Sequence, residues 1–163
     1  EGLQPNEVCY NGVVGACARE GRVEEAARCL HAMTEAGWRP GLVAYSGMVL
    51  SCARAGLPAE AEQWFHQAEA EGLVPDIVLH NGVLSAFAQA RLWRQAIKWL
   101  DGMEAAQLMP TLVSYTCALS ACAREDRALQ EPAAGLLRQL LRNRLRPDAR
   151  ALAAAARAGG GEE

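Results

Sequence analysis

The letters CAREG at 17–21 return as CARAG at 52–56 and CARED at 122–126, and FAQAR at 87–91 fills the slot between, so one unit recurs every 35 residues. Tyr10, Tyr45, His80 and Tyr115 keep the same beat, as do Pro5, Pro40, Pro75 and Pro110, and Pro147 follows after 37. A fixed period of this length rules out one central core. Each unit is too small to bury its own apolar face and must bury it against its neighbours, so the chain folds as a stack.

Within 7–41, Val8, Val13, Val14, Cys17 and Ala18 form a helical stripe, the letters EG at 20–21 interrupt it, and Val23, Ala26, Ala27, Leu30 and Met33 resume it. The unit is therefore a pair of antiparallel helices. Gly37 stops the second helix, and the Arg39-Pro40 bond forces an extended link before the next unit. The same parse predicts units at 7–41, 42–76, 77–111 and 112–148, the last lengthened by two residues near DRALQEPAAG, with its second helix restarting at Pro132. Residues 1–6 read as the end of a preceding unit, which makes the chain a fragment of a longer array, and 149–163 as a short Ala/Gly-rich cap or disordered tail. Asn11-Gly12 and Asn81-Gly82 carry a hairpin-turn signal, but the helical register overrules it. Glycine inside a helix costs about 1 kcal/mol against alanine. Gly12, Gly47 and Gly82 at one repeat position therefore imply a close approach, by a neighbouring helix or by a ligand.

Composition removes several function classes. Hydrophobic residues make up 51% and charged residues 21% of the chain, and no apolar run reaches the ~18 residues of a membrane span. Cys17, Cys52 and Cys122 share one repeat position, which in a stack holds them beyond disulfide reach. Cys9, Cys29 and Cys117 form no C-x-x-C pair, and all six are expected to be small buried hydrophobes in a reducing compartment. The histidines read HAM, HQA and HNG, so the H-x-E and C-x-x-C of zinc deaminases are missing, and no carboxylate cluster suggests a metal site. No enzyme activity, metal or cofactor is expected.

A 35-residue helical pair with Tyr-Asn near its start, GRVEEA midway and a G-x-x-P finish resembles the pentatricopeptide repeat family, most closely over YNGVVGACAREGRVEEAARCLHAMTEAGWRPG. The resemblance covers 7–148 and implies an all-α, right-handed α-solenoid of helix-turn-helix repeats whose first helices line a groove for single-stranded RNA, one base per repeat. It further implies that two residues per unit read each base: Asn11 with Gly41, Ser46 with Asp76, Asn81 with Thr111, and Thr116 with Asp148. The pairings imply pyrimidine, guanine, pyrimidine and guanine in turn. Val8, Val43, Val78 and Val113, two residues before the tyrosine position, are the implied base clamps, with inter-repeat packing as the competing role. By the same resemblance the chain works in a mitochondrion or plastid on RNA processing, stability, editing or translation, with possible protein partners in an organellar RNA-processing complex.

A splayed base offers a hydrogen-bonding edge and two apolar faces, which short polar side chains and stiff valines can address. Bulk charge is no help, with 16 Lys+Arg against 19 Asp+Glu. Distribution matters more. Arg19, Arg54 and Arg124 share one position on the first helices and could form a ladder for RNA phosphates, with Gln89 a neutral rung. Glu60, Glu62, Glu69, Glu71 and Asp76 make the later half of the second unit acidic, whereas Arg138, Arg142, Arg144 and Arg146 reverse the sign in the fourth. A peptide-binding helical scaffold using the same groove is the alternative function, and it accommodates the acidic balance directly.

Overall fold

The computed structural model describes residues 5–123 and 129–158. Every regular element among them is helical: α1 (Glu7–Glu20), α2 (Val23–Glu35), α3 (Leu42–Ala55), α4 (Pro58–Ala70), α5 (Ile77–Gln89), α6 (Trp93–Ala105), α7 (Leu112–Cys122), α8 (Gln130–Arg142) and α9 (Ala149–Ala158). The chain divides into two compact units, Glu1–Ala86 and Phe87–Glu163. Asn11-Gly12 lies inside α1 and Asn81-Gly82 inside α5, so tertiary register prevails over the local turn signal.

Four of the five odd-numbered helices begin where a short polar side chain turns back on its own backbone. Asn6 Oδ1 accepts from Cys9 N at 3.0 Å, Asp76 Oδ1 from Leu79 N at 2.9 Å, and Asp148 Oδ1 from Ala151 N at 2.8 Å. Thr111 and Ser114 form a reciprocal capping box at α7. Gly41 caps α3 with no side chain. Such caps satisfy amide groups that no helical carbonyl can reach, each worth about 1 kcal/mol.

Helix ends use the left-handed conformation. Gly37 (φ 83°) closes α2 as the sequence indicates, with Trp38 N donating to Met33 O at 3.0 Å, and Gly72 (φ 80°) does the same after α4. At the matching positions after α6 and α8 the chain places Gln107 (φ 58°) and Arg144 (φ 57°), where a side chain costs roughly 1 kcal/mol. Arg91 (φ 59°) stands where Gly21 and Gly56 close α1 and α3, and its guanidinium donates to the Ala123 carbonyl just past α7.

In the first unit α1 packs on α2 and α3, and α3 on α4. In the second, α7 packs on α6, α8 and α9. These are tandem hairpins joined through their first helices, the arrangement of an α-solenoid. Val14, Val49, Leu84 and Leu119 are fully buried at one register of the first helices, and Met33, Ala68, Met103 and Leu140 at one register of the second. Burying each large side chain contributes about 1.5–3 kcal/mol.

Three expectations need correction. The helix α8 starts at Gln130 rather than Pro132, because proline at the third position still lies in the first turn, where its missing N–H has no helical partner to lose. Cys9 is exposed, since it sits on the outer side of the first turn of α1, and Cys29 and Cys117 are only partly buried. Of the three glycines, Gly47 and Gly82 do meet a neighbouring helix: an added Cβ would lie 2.7 Å from Val14 Cγ1 and 2.8 Å from Val49 Cγ1. Gly12 meets nothing within 4 Å.

Candidate functional site

On α3 the residues Val43, Ser46, Gly47, Leu50 and Arg54 follow helical spacing and therefore share one face. That face forms one wall of an open groove of about 420 Å³ in the first unit, whose lining also includes Arg19 from α1 and Asp76 and Val78 from the start of α5. Six of the sequence-predicted residues thus line one groove: the candidate readers Ser46 and Asp76, the candidate clamps Val43 and Val78, and the candidate backbone contacts Arg19 and Arg54. The Asp76 cap fixes the carboxylate through Oδ1 and leaves Oδ2 as an acceptor. Gly47 keeps the floor open, and its reason for being glycine is Val14 underneath.

The valines have the exposure of surface groups. Val8 is 75% exposed, Val43 68%, Val78 53% and Val113 56%, so packing between repeats does not account for them. Arg19 and Arg54 are exposed on the last turns of α1 and α3. Arg124, the third rung of the ladder, lies outside the described residues.

The other readers differ in detail. Asn11 is half-buried, with its Oδ1 buried and without a hydrogen-bond partner, and Gly41 brings no side chain to it. Thr116 on α7 is half-buried, and its hydroxyl donates to Leu112 O at 2.7 Å. Asp148, exposed, caps α9 as Asp76 caps α5. Asn81 is half-buried on α5. Thr111 is exposed, with its Oγ1 3.2 Å from Ser114 Oγ.

Two signals escaped the sequence reading. Gly41, Asp76, Thr111 and Asp148 are helix N-caps as well as candidate readers, a role that the S/T/D/N pattern ahead of an apolar stripe could have revealed. Leu50 lines the groove seven residues after Val43, a spacing that places it on the same face.

Residues beside the readers anchor the helices. Tyr115 is buried, its hydroxyl donating to Glu104 Oε1 at 3.1 Å and accepting from Asn143 Nδ2 at 2.7 Å. Burial, and then Glu104, push its pKa up to about 12. His80 packs edge-on against Phe65 with ring centres 4.7 Å apart, and burial lowers its pKa against the opposing pull of Glu69 and Asp76. Burial also raises the Cys52 and Cys122 thiols to about 11, so they remain protonated packing groups. Among the described residues no group of three or more His, Cys, Asp or Glu could hold a metal ion, and no helix is long and apolar enough to cross a membrane.

Comparison with known proteins bears on this architecture directly. The PPR repeat family model matches residues 5–54, the pentatricopeptide repeat domain model 63–125, and the PPR repeat model 43–73. No curated protein matches the chain. Among solved structures, the pentatricopeptide repeat protein PPR10 in complex with an 18-nt psaJ RNA element is similar with a TM-score of 0.85 at 21% identity, over 96% of this chain and 23% of that one. PPR10 from maize gives 0.79 at 20%, over 96% and 22%. The PPR domain of Arabidopsis thaliana protein-only RNase P 1, in complex with tRNA, gives 0.76 at 19%, over 93% and 79%. The chain therefore spans about a quarter of the length of PPR10. With family models matching from residue 5 to residue 125, and with helical hairpins recurring at the family's spacing, this chain belongs to the pentatricopeptide repeat family.

Proposed function

We propose that this chain is a sequence-selective binder of single-stranded RNA that addresses one base per hairpin, acting in RNA processing, stability, editing or translation in a mitochondrion or plastid. One observation carries the reading: in the first unit a hydroxyl, a carboxylate, two exposed valines and two arginines line the same groove. Each class of group meets a different part of a nucleotide. Valines cover base faces, the guanidinium groups meet phosphate oxygens, and the polar pair addresses the edge.

The resemblance to the family also implies a base preference for each polar pair, with which hydrogen-bond chemistry is compatible. An ionised aspartate only accepts hydrogen bonds, and guanine is the base that presents two adjacent N–H donors on its pairing edge. Ser46 with Asp76 therefore suits guanine, and so does Thr116 with Asp148. An asparagine amide both donates and accepts and so can pair with the mixed edge of uracil or cytosine, the bases that the family's pairings imply for Asn11 and Asn81. The similarity to PPR10, solved with an RNA element, supports the same ligand class.

The test is binding of this chain to RNAs carrying uracil, guanine, uracil and guanine in succession within an oligo-adenine strand, against the same bases permuted. The ordered strand should bind more tightly, and the logarithm of its affinity should fall with the logarithm of salt at a slope near about −2 if three phosphates are neutralised. Absence of salt-sensitive binding to every RNA would instead favour a peptide-binding scaffold.

A further inference from the structure

We propose that Arg150 closes the base site of the fourth hairpin, its guanidinium plane stacking on the base face that a valine covers elsewhere. The inference rests on the single-stranded RNA reading above and adds a residue to its site. In each of the five odd-numbered helices the residue two past the N-cap is exposed: Val8 after Asn6, Val43 after Gly41, Val78 after Asp76, Val113 after Thr111, and Arg150 after Asp148. Four are valine and the last is arginine.

The local geometry makes the correspondence more than a matter of counting. Asp76 caps α5 by a bond to the amide three residues on, at 2.9 Å, and Asp148 caps α9 by the same bond at 2.8 Å. Matching capped turns give the residue two past the cap the same bearing on its helix. Val78 so placed lines the groove that holds Ser46 and Asp76. Helix α9 packs against α7, the helix that carries Val113 and Thr116. The charge of Arg150 is felt at Cys117, the neighbour of Thr116, where it opposes the rise that burial imposes on the thiol. By this correspondence Val113, Thr116, Asp148 and Arg150 make up the fourth site as Val43, Ser46, Asp76 and Val78 make up the second. The two-residue lengthening of the fourth repeat conceals this in the sequence, because a step of 35 from Val113 lands on Asp148.

Chemistry favours the base face as the target. A guanidinium is planar, permanently charged and weakly hydrated, and it stacks on nucleobases as an aromatic ring does. At the fourth site it would supply the contact of a valine together with a positive charge.

A double-mutant cycle tests this, using the whole chain and the uracil–guanine–uracil–guanine strand with either guanine or an abasic ribose at the fourth base. Loss of that base should weaken the unaltered protein about fivefold or more. In Arg150→Ala the penalty should shrink severalfold, to the part that Val113, Thr116 and Asp148 supply. Arg150→Lys, which keeps charge without the plane, should lose the same share of the penalty while keeping the salt slope of the unaltered protein. An unchanged abasic penalty in Arg150→Ala, or a lysine variant that retains it in full, overturns the proposal while leaving RNA binding intact. No RNA binding by the unaltered chain overturns the groove reading and this inference together. Helical circular dichroism of both variants guards against loss of fold.

Discussion

The second and fourth hairpins carry the same reading chemistry, a hydroxyl with an aspartate, and hold it differently. Ser46 lies beside a glycine, in a groove floored by Val14, and among the described residues no hydrogen bond commits its hydroxyl. Thr116 has already given its proton to Leu112 O, and Cys117 occupies the slot that Gly47 keeps open. Val78 lines the second site two residues past the capping Asp76, while the residue two past the capping Asp148 is Arg150. Identical letters therefore do not make identical sites. A hydroxyl whose proton is committed can only accept, so the second site should discriminate bases more sharply than the fourth.

Removing the carboxylate charge should have the largest effect. Asp76→Asn keeps an N-cap acceptor but replaces an ionic partner of guanine, and about 1.5–3 kcal/mol of preference for guanine at the second base should disappear. Asp148→Asn should cost less at the fourth base, and competition binding with single-base RNA variants measures both. Equal losses would erase the distinction between the sites.

The glycine floor comes next. In Gly47→Ala the new methyl group meets Val14 Cγ1 at 2.7 Å, and overpacking should outweigh the gain in helix propensity, for a net loss of about 1 kcal/mol in thermal or urea unfolding. Gly12→Ala meets nothing and should stabilise the chain by up to about 1 kcal/mol. A third contrast uses the hydroxyl itself. Ser46→Thr should let the side chain donate to Leu42 O as Thr116 does to Leu112 O, and lower the guanine preference at the second base by about 1 kcal/mol, to the level of the fourth.

The smallest effect is in pH. Helix α5, which Asp76 caps, is anchored by His80, whereas α7 is anchored by Tyr115, whose pKa burial pushes up to about 12. Burial lowers the folded pKa of His80, so the unfolded state takes up the proton more readily. That stability is complete above the ordinary histidine value of about 6.5 and declines as the pH falls through the lowered one. His80→Tyr, the letter found at 10, 45 and 115, should flatten this acid limb in unfolding followed against pH.

Much of the fold was legible because it repeats. Proline and tyrosine spacing marks helix starts at Glu7, Leu42, Ile77 and Leu112, and Gly37 marks the end of α2. Partners were harder to read. Glycine at 47 announces a close approach, but only packing identifies Val14 as what approaches. Periodicity fails where the chain breaks its own rule: Gln107 and Arg144 occupy left-handed positions without glycine, and the lengthened fourth repeat moves Arg150 out of register. The candidate reader letters stand out in the repeat, yet the capping bonds of Asp76 and Asp148 depend on backbone geometry that no single letter displays.

The central claim is that the groove side chain at position 46 chooses the second base. A selection from randomised RNA, run on the unaltered chain and on Ser46→Asn, tests it most directly. The account predicts guanine at the second base for the former and a shift towards uracil for the latter, with the other three bases unmoved. A second base that is the same in both selections, or that shows no preference in either, would contradict it.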